Sequence, residues 1–316
     1  MSHTTEPLRT GVVGVGYLGR FHAQKYAALS DAALVGVVDV DSARAAAVAA
    51  ECQTRALADY RDLFGQVDCV SIAVPTQWHY AVARDFLLHD IDVLVEKPLT
   101  ATGSEGRELV EIAAQRNRIL QVGHLERFNP ALRSLTGILT APRFIECHRV
   151  APFVERGTDV DVVRDLMIHD LDVILSLVRS PVASMEAFGV PVLTKEPDIA
   201  NARLRFASGC VANITASRVA LKRERKMRLF QLDTYIVVDY GEHRIRICRR
   251  DPTPQEGSLP NITYEEREVG GEDALEEEIR AFLRAVRDHS QPIVSGQDGL
   301  QALEVAEQIV GCLEVP

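Results

Sequence analysis

Residues 10–29 read TGVVGVGYLGRFHAQKYAAL, and this stretch decides the fold of the first half of the chain. An apolar strand leads into a GxGxxG loop over residues 14–19, which opens a helix. The first glycine permits a tight turn, the second lets the backbone approach a pyrophosphate, and the third allows close packing of helix on strand. The helix start also favours anions. The stretch therefore predicts a dinucleotide-binding loop, with these residues next to the cofactor: Gly14, Gly16, Tyr17, Leu18 and Gly19.

A second apolar strand, ALVGVVDV, places Asp39 twenty residues beyond Gly19. A carboxylate at this position accepts hydrogen bonds from both hydroxyls of an adenosine ribose and repels the 2′-phosphate of NADP. No arginine follows Asp39 directly, since Val40 and Asp41 do. We therefore expect NAD as the cofactor.

Strands and helices continue to alternate up to the segment ILQVGH, which ends at residue 124. This alternation predicts a doubly wound parallel sheet with helices on both faces, a Rossmann domain over residues 1–123. Ligands bind such sheets at the carboxyl ends of the strands. The residues expected to line one crevice there are Asp39, Val74, Pro75, Thr76, Glu96, Lys97, Pro98, Gly123 and His124.

The composition restricts the class of protein. The chain has 316 residues, enough for two domains, and its net charge of −10 argues against nonspecific nucleic-acid binding. No apolar run is long enough for a bilayer, and the polar N-terminus predicts no signal peptide. Six scattered cysteines without a CxxC pair predict neither a metal site nor a disulfide framework. We expect a cytoplasmic protein.

After residue 123 the pattern changes to several alternating strands, which predict an α/β domain with a large open antiparallel sheet over residues 124–316. One apolar helix, 162–178, contains RDLMIHDLD at 164–172. Helical spacing places Asp165, His169 and Asp172 on one face of it. Buried polar groups are costly unless they are paired or used, so this face is a candidate site. The alternative is a buried hydrogen-bond network without chemistry.

Four motifs together resemble the Gfo/Idh/MocA family of NAD(P)-dependent oxidoreductases. They are the GxGxxG, AVPTQWHYAVA at 73–83, EKPLT at 96–100 and the later Asp-x-x-x-His, and they span essentially the whole chain. The resemblance implies a Rossmann domain followed by an open-sheet domain that commonly forms an oligomer interface. We therefore expect a homo-oligomer, a dimer or a tetramer. We expect cofactor contacts from Val74, Pro75, Thr76, His79, Glu96 and Lys97.

The resemblance also implies that Lys97, Asp165 and His169 form the catalytic site for a sugar or polyol. His169 is the expected general base, because an imidazole titrates near neutral pH, while hydride passes to the nicotinamide. Lys97 would hydrogen-bond the same oxygen, although a surface lysine after a strand is the alternative. Asp165 would bind a neighbouring hydroxyl or orient the imidazole.

Two further stretches, VGHLERFNPAL at 122–132 and residues 213–240, resemble a subgroup that oxidises the C3 hydroxyl of UDP-N-acetylglucosamine. In that subgroup the ketone feeds a PLP aminotransferase that makes a diamino sugar for lipid A. We expect cationic contacts to the diphosphate from His124, Arg127 and Arg218, and sugar contacts from Glu126 and Asn129. The alternative for 122–132 is a hinge between domains.

Other interpretations remain open at this point. The basic cluster LKRERKMRLF at 221–230 is either an exposed strand face, an oligomer contact or, with Arg218, Lys222 and Arg225, a phosphate-attracting surface. The rival functions are a dehydrogenase of a free sugar or inositol, a dehydrogenase of a UDP-uronic acid, and a nonenzymatic NAD-binding sensor. The sequence also leaves open whether NADH is released or recycled in place.

Overall fold

A computed structural model describes residues 6–153, 161–251, 261–270 and 273–314 of the chain. They form two compact units. The first contains the described residues up to Phe128 together with Asp273–Leu303, and the second contains the remainder. Among the described helices, none has the length and apolar character needed to cross a membrane.

The first unit is built on a six-stranded parallel sheet in the order β3-β2-β1-β4-β5-β6. This is the strand order of a Rossmann fold, so the predicted doubly wound sheet is confirmed. Strands such as CVSI and DVLVE are almost wholly buried because helices cover both faces of a parallel sheet. The strands are β1 Leu8–Val13, β2 Ala32–Val38, β3 Arg55–Leu57, β4 Cys69–Ile72, β5 Asp92–Glu96 and β6 Leu120–Gly123.

Four helices follow strands of this sheet: α1 Tyr17–Ala28, α2 Ser42–Glu51, α3 His79–Leu88 and α4 Gly103–Arg116. Local capping sets where two of them begin. The Asp41 carboxylate accepts the first free N–H groups of α2, and Thr102 with Glu105 forms a capping box on α4. The chain order reverses between β1 and β4, which is where Rossmann sheets open a ligand crevice.

A helix from the second half of the chain belongs to the first unit. This helix, α7 Ala274–Asp288, is capped by Asp273, whose side chain accepts the N–H groups of Leu275 and Glu276. Its apolar stripe, which includes Ile279 and Phe282, is buried in one core cluster with Val12 and Tyr26. The sequence placed all of residues 124–316 in the second domain. The structure differs here because an amphipathic stripe specifies which helix face is buried, and it does not specify the partner.

The second unit is built on a nine-stranded sheet in the order β14-β13-β12-β11-β7-β10-β9-β8-β15. Most neighbours are antiparallel, as predicted, while β7–β10 and β8–β15 pair in parallel. Alternation along the strands buries one face, as in the pattern of β7. The strands are β7 Phe144–Val150, β8 Val182–Val190, β9 Ile199–Phe206, β10 Val211–Ser217, β11 Glu224–Gln231, β12 Thr234–Asp239, β13 Arg244–Arg250, β14 Ile262–Glu268 and β15 Leu313–Glu314.

Two helices belong to this unit, α5 Pro130–Arg133 and α6 Ile168–Val178, and the division between the units falls within α8 Gly296–Gly311. Helix α6 packs against β7 through an apolar surface that is buried along most of its length. The predicted helix over 162–178 is confirmed from residue 168 onward. Before it, Val163–Met167 forms a π-helical turn.

Candidate active site

The glycine loop has the geometry that its spacing predicts. Gly14 has a φ of +83°, a conformation that favours glycine. A Cβ on Gly19 would lie 1.8 Å from the carbonyl oxygen of Gly14, so α1 can approach β1 only without a side chain there. A Cβ on Gly16 would meet nothing within 4 Å. The backbone at Gly16 is therefore open to an approaching ligand, and Tyr17 and Leu18 beside it are exposed.

Asp39 ties the end of β2 to this loop. Its Oδ2 accepts the backbone N–H of Val15 at 2.9 Å, and its Oδ1 accepts that of Asp41 at the same distance. The guanidinium of Arg44 lies 3.3 Å from the carboxylate oxygens. Sequence reasoning missed Arg44 because it considered only the residues directly after Asp39, whereas the first turn of α2 brings a residue five positions later onto the carboxylate.

The loops after β4 and β5 are joined by His79. Its Nδ1 lies 2.8 Å from the carbonyl oxygen of Pro98, and its Nε2 lies 2.9 Å from that of Val74. Burial lowers the pKa of His79, against the opposing effect of the two carbonyls, so the ring is neutral and donates to one of them. The imidazole is buried in this role, and its predicted contact with the cofactor stays a prediction. Lys97 follows β5 directly and is half-buried.

His124, at the end of β6, is a buried imidazole near charged neighbours. Within the described part of the chain, neither ring nitrogen has a hydrogen-bond partner. Burial, followed by the charges of Lys97 and Arg127, lowers the pKa of His124 to about 3. Burial beside two cations disfavours a positive charge on His124, and its predicted contact with the substrate stays a prediction. Arg127 keeps its charge and donates to the carbonyl oxygen of Ile293 at 3.2 Å.

In the second unit, the candidate residues Asp165 and His169 lie on either side of a change in helix type. Asp165 is in the π-helical turn, and His169 is in the first turn of α6. Both are half-buried, while Asp172 is buried. The carboxylate of Asp161 begins the segment by accepting the N–H groups of Val163 and Arg164. Such π-turns occur often at functional sites, which agrees with the position of Asp165.

Sequence reasoning passed over one buried charge on α6. Asp170 accepts two hydrogen bonds from Arg149 on β7, at 2.9 and 3.0 Å, with both side chains almost fully buried. This bidentate ion pair fixes α6 on the sheet. No spacing rule relates residues 149 and 170, so the sequence could not indicate the pair.

The structure also places the other residues that were predicted to contact the substrate. Arg218 is buried 3.6 Å from Asp198, whose pKa is lowered to about 2 because backbone N–H groups outweigh the effect of burial. Asn129 accepts the N–H of Ala131 and caps α5, and Glu126 is half-buried. In the basic cluster, Lys226 pairs with Asp239, Arg228 pairs with Glu146, and Lys222 is exposed.

Among the described residues, His22, Glu96 and Glu278 are close enough to hold a metal ion, with one potential ligand atom from each within 4.8 Å of the others. The imidazole of His22 is already engaged at both nitrogens, by Ser71 Oγ and by Glu96 Oε1, each at 3.1 Å. An ion would have to displace one of these hydrogen bonds. This cluster was not foreseen, since its three residues come from α1, β5 and α7.

Comparison with known proteins agrees with the glycine loop and the two sheets. Residues 8–124 match the oxidoreductase family with an NAD-binding Rossmann fold, and residues 133–244 match the GFO/IDH/MocA C-terminal domain. The chain therefore belongs to the Gfo/Idh/MocA family and is an NAD-dependent oxidoreductase that acts on a CH–OH group.

Individual relatives give a finer comparison. The chain is 41% identical over 303 residues to a UDP-N-acetylglucosamine 3-dehydrogenase from Acidithiobacillus ferrooxidans, covering 96% of both chains. A solved structure of that enzyme superimposes with a TM-score of 0.91 over 98% of each chain at 39% identity. An inositol 2-dehydrogenase from Leifsonia xyli is 34% identical over 193 residues, 58% of this chain and 57% of its own length. An Agrobacterium radiobacter oxidoreductase in complex with NAD⁺ has a TM-score of 0.85, covers 96% of both chains and is 17% identical.

Proposed function

We propose that this enzyme oxidises the C3 hydroxyl of UDP-N-acetylglucosamine to a ketone, with NAD as the hydride acceptor. The observation that carries the proposal is 41% identity to an enzyme of that name over 96% of both chains. Inositol 2-dehydrogenases match at 34% identity over 58% of this chain, or at 25% identity over 96% of it. The higher identity over both units favours the nucleotide sugar, because an inositol dehydrogenase that matches the whole chain does so at a lower identity.

The residues of the first unit suit the cofactor. The open backbone at Gly16 and the start of α1 would hold the pyrophosphate, and the Asp39 carboxylate would accept the ribose hydroxyls. When bound, NAD supplies the hydride acceptor. The position of Arg44 against Asp39 does not reverse the preference for NAD, because the carboxylate still repels a 2′-phosphate.

We assign the reacting proton to His169, which takes it from the C3 hydroxyl as hydride leaves the carbon. A half-buried imidazole remains accessible to a substrate, which suits a general base. Lys97 donates a hydrogen bond to the same oxygen and stabilises its developing negative charge. Asp165 binds a neighbouring hydroxyl or orients the imidazole. Neutral His124 serves as a hydrogen-bonding group for an uncharged part of the substrate.

The ketone product has an evident chemical fate. A keto sugar is a substrate for a PLP-dependent aminotransferase, which would convert it to an amino sugar. We therefore extend the proposal to a diamino sugar destined for lipid A, with the aminotransferase as the next enzyme.

The test is NADH formation on UDP-N-acetylglucosamine, its uronic acid form, free N-acetylglucosamine and myo-inositol, with a carbonyl trap to draw the reaction forward. We expect turnover on the first alone. His169→Ala and Lys97→Ala should each reduce kcat by about 10²- to 10⁴-fold. The matched controls, His148→Ala on β7 and the exposed Lys195→Ala, should retain activity. Turnover on a free polyol instead, or full activity of both site variants, would refute the proposal.

A further inference from the structure

A buried carboxylate in the first unit lacks the partners that such a group requires. Glu278, on α7, is 1% exposed, and neither of its carboxylate oxygens has a hydrogen-bond partner among the described residues. Side-chain atoms of Glu96, at the end of β5, and of His22, on α1, lie within 4.8 Å of it. The side-chain oxygen of Gln121 is also buried without a partner, while its nitrogen donates to the Glu278 backbone.

The neighbouring hydrogen bonds leave no donor for Glu278. Tyr26 lies 2.9 Å from Ser71 Oγ, which lies 3.1 Å from His22 Nδ1, and His22 Nε2 lies 3.1 Å from Glu96 Oε1. The consistent assignment has Tyr26 donating to Ser71, Ser71 to the imidazole, and the imidazole to an ionised Glu96. The polar hydrogens of Tyr26, Ser71 and His22 are then all used in these three hydrogen bonds.

Two carboxylates this close cannot both ionise cheaply in a buried site. Burial and the charge of Glu96 raise the pKa of Glu278 well above its usual value. Burial acts in the same direction on Glu96, but the hydrogen bond from His22 outweighs it, so the pKa of Glu96 is lowered. Burial also raises the pKa of Tyr26, which stays neutral. The turn Leu125–Phe128 packs on α7 as well.

We propose that Glu278 is a positioning residue that holds a proton, and that this neutral acid keeps the β5 end at Glu96 and Lys97 in place beside the nucleotide-binding helix α1. The two elements are linked there because His22 belongs to α1 and the backbone N–H of Lys97 lies 3.3 Å from Glu96 Oε2. Loss of the proton places a second negative charge against Glu96. That charge separates β5 from α1 and weakens NAD binding. The role of Lys97 rests on the proposed function, whereas the proton and its effect on NAD do not.

The sign of the pH dependence follows from linkage. A carboxyl group with a raised folded-state pKa stabilises the fold fully below its ordinary pKa, and this contribution is lost as pH rises toward the folded value. Glu278→Gln keeps the shape of the neutral acid and cannot ionise. The unfolding constant of the wild type, relative to this variant, should therefore rise with pH above the ordinary carboxyl pKa, by at most about tenfold per pH unit, and level off where the folded group loses its proton; the range to measure is about pH 5 to pH 8. Glu277→Gln, the neighbouring carboxyl on the same helix, is the control and should match the wild type.

The second readout is the dissociation constant of NAD over the same range, continued to about pH 9. We expect NAD to bind progressively more weakly to the wild type at alkaline pH, and the Glu278→Gln protein to lack this loss. A stability difference that does not depend on pH would show that Glu278 is ionised and overturn the proposal. Parallel NAD profiles for the two proteins would overturn the positioning role. Neither measurement contains a sugar, so an error in the proposed substrate would leave both unchanged.

Discussion

Gly19→Ala tests whether the glycine loop is required by packing within the protein. The new Cβ would lie 1.8 Å from the Gly14 carbonyl oxygen, 2.9 Å from the Gly14 carbonyl carbon and 3.3 Å from the Ala73 Cβ. The first two are backbone atoms at a turn whose φ of +83° is already restricted, so helix α1 must move away from β1. Overpacking in a well-packed core typically costs about 1–3 kcal/mol, and this overlap lies at or above the upper end. With an unfolding entropy of about 2.1 cal/mol/K per residue, about 3 kcal/mol is a loss of about 4–5 °C in Tm for a chain of 316 residues.

Gly16→Ala is the matched control in the same loop. Its Cβ would meet nothing within 4 Å, and its φ of −66° suits alanine, so Tm should stay within about 2 °C of the wild type. NAD binding should nevertheless weaken about 10- to 100-fold, because the methyl group occupies the approach of the pyrophosphate. Thermal unfolding followed by circular dichroism and NAD titration separate the two effects. A wild-type Tm for Gly19→Ala, or undiminished NAD affinity for Gly16→Ala, would refute the assignment.

Three further predictions concern other parts of the molecule. Asp39→Ala should lower kcat/KM with NAD about 10- to 100-fold. It should also raise the activity with NADP, since Arg44 then faces a 2′-phosphate without an opposing carboxylate. An unchanged cofactor preference would contradict this prediction. Asp170→Asn should cost about 3–5 kcal/mol by leaving Arg149 buried without its charge partner, as denaturant unfolding would measure. Phe230 and the aromatic rings that contact it on the outer sheet face should form the homo-oligomer interface. Phe230→Arg should therefore reduce the mass measured by light scattering, and an unchanged mass would count against this face.

Much of the first unit is predictable because its signals are local. Each βα loop carries its own turn residues and its own apolar strand, so GxGxxG, Asp39 and the strand ends follow from short stretches of sequence. The edge strand β3 was missed, since three residues, two of them exposed, carry no periodic pattern. The π-helical turn before α6 was also missed, because an apolar helical pattern does not distinguish an i→i+5 hydrogen bond from an i→i+4 one.

The sequence predicted which residues form the candidate site better than it predicted the charges of their side chains. His124 was expected as a cation because it lies among strand ends, but its burial, which sequence does not report, makes it neutral. Glu278 was part of a helix whose apolar stripe alone was considered. Its importance depends on Glu96, which is distant in sequence. Pairings between residues that are distant in sequence depend on the tertiary structure, and a single sequence offers no rule that predicts them.

The polar side chains of the 162–178 helix differ in burial, and this difference explains how they are placed. Asp170 is buried and held by Arg149, whereas Asp165 and His169 are half-buried. Successive residues on a helix are separated by a rotation of about 100°, so an ion pair that fixes the direction of Asp170 also fixes that of its neighbour His169. The pair resists rotation of α6 because turning the helix would leave two buried charges apart. The buried carboxylate thus serves orientation, and the imidazole next to it stays accessible for the proton transfer that we propose.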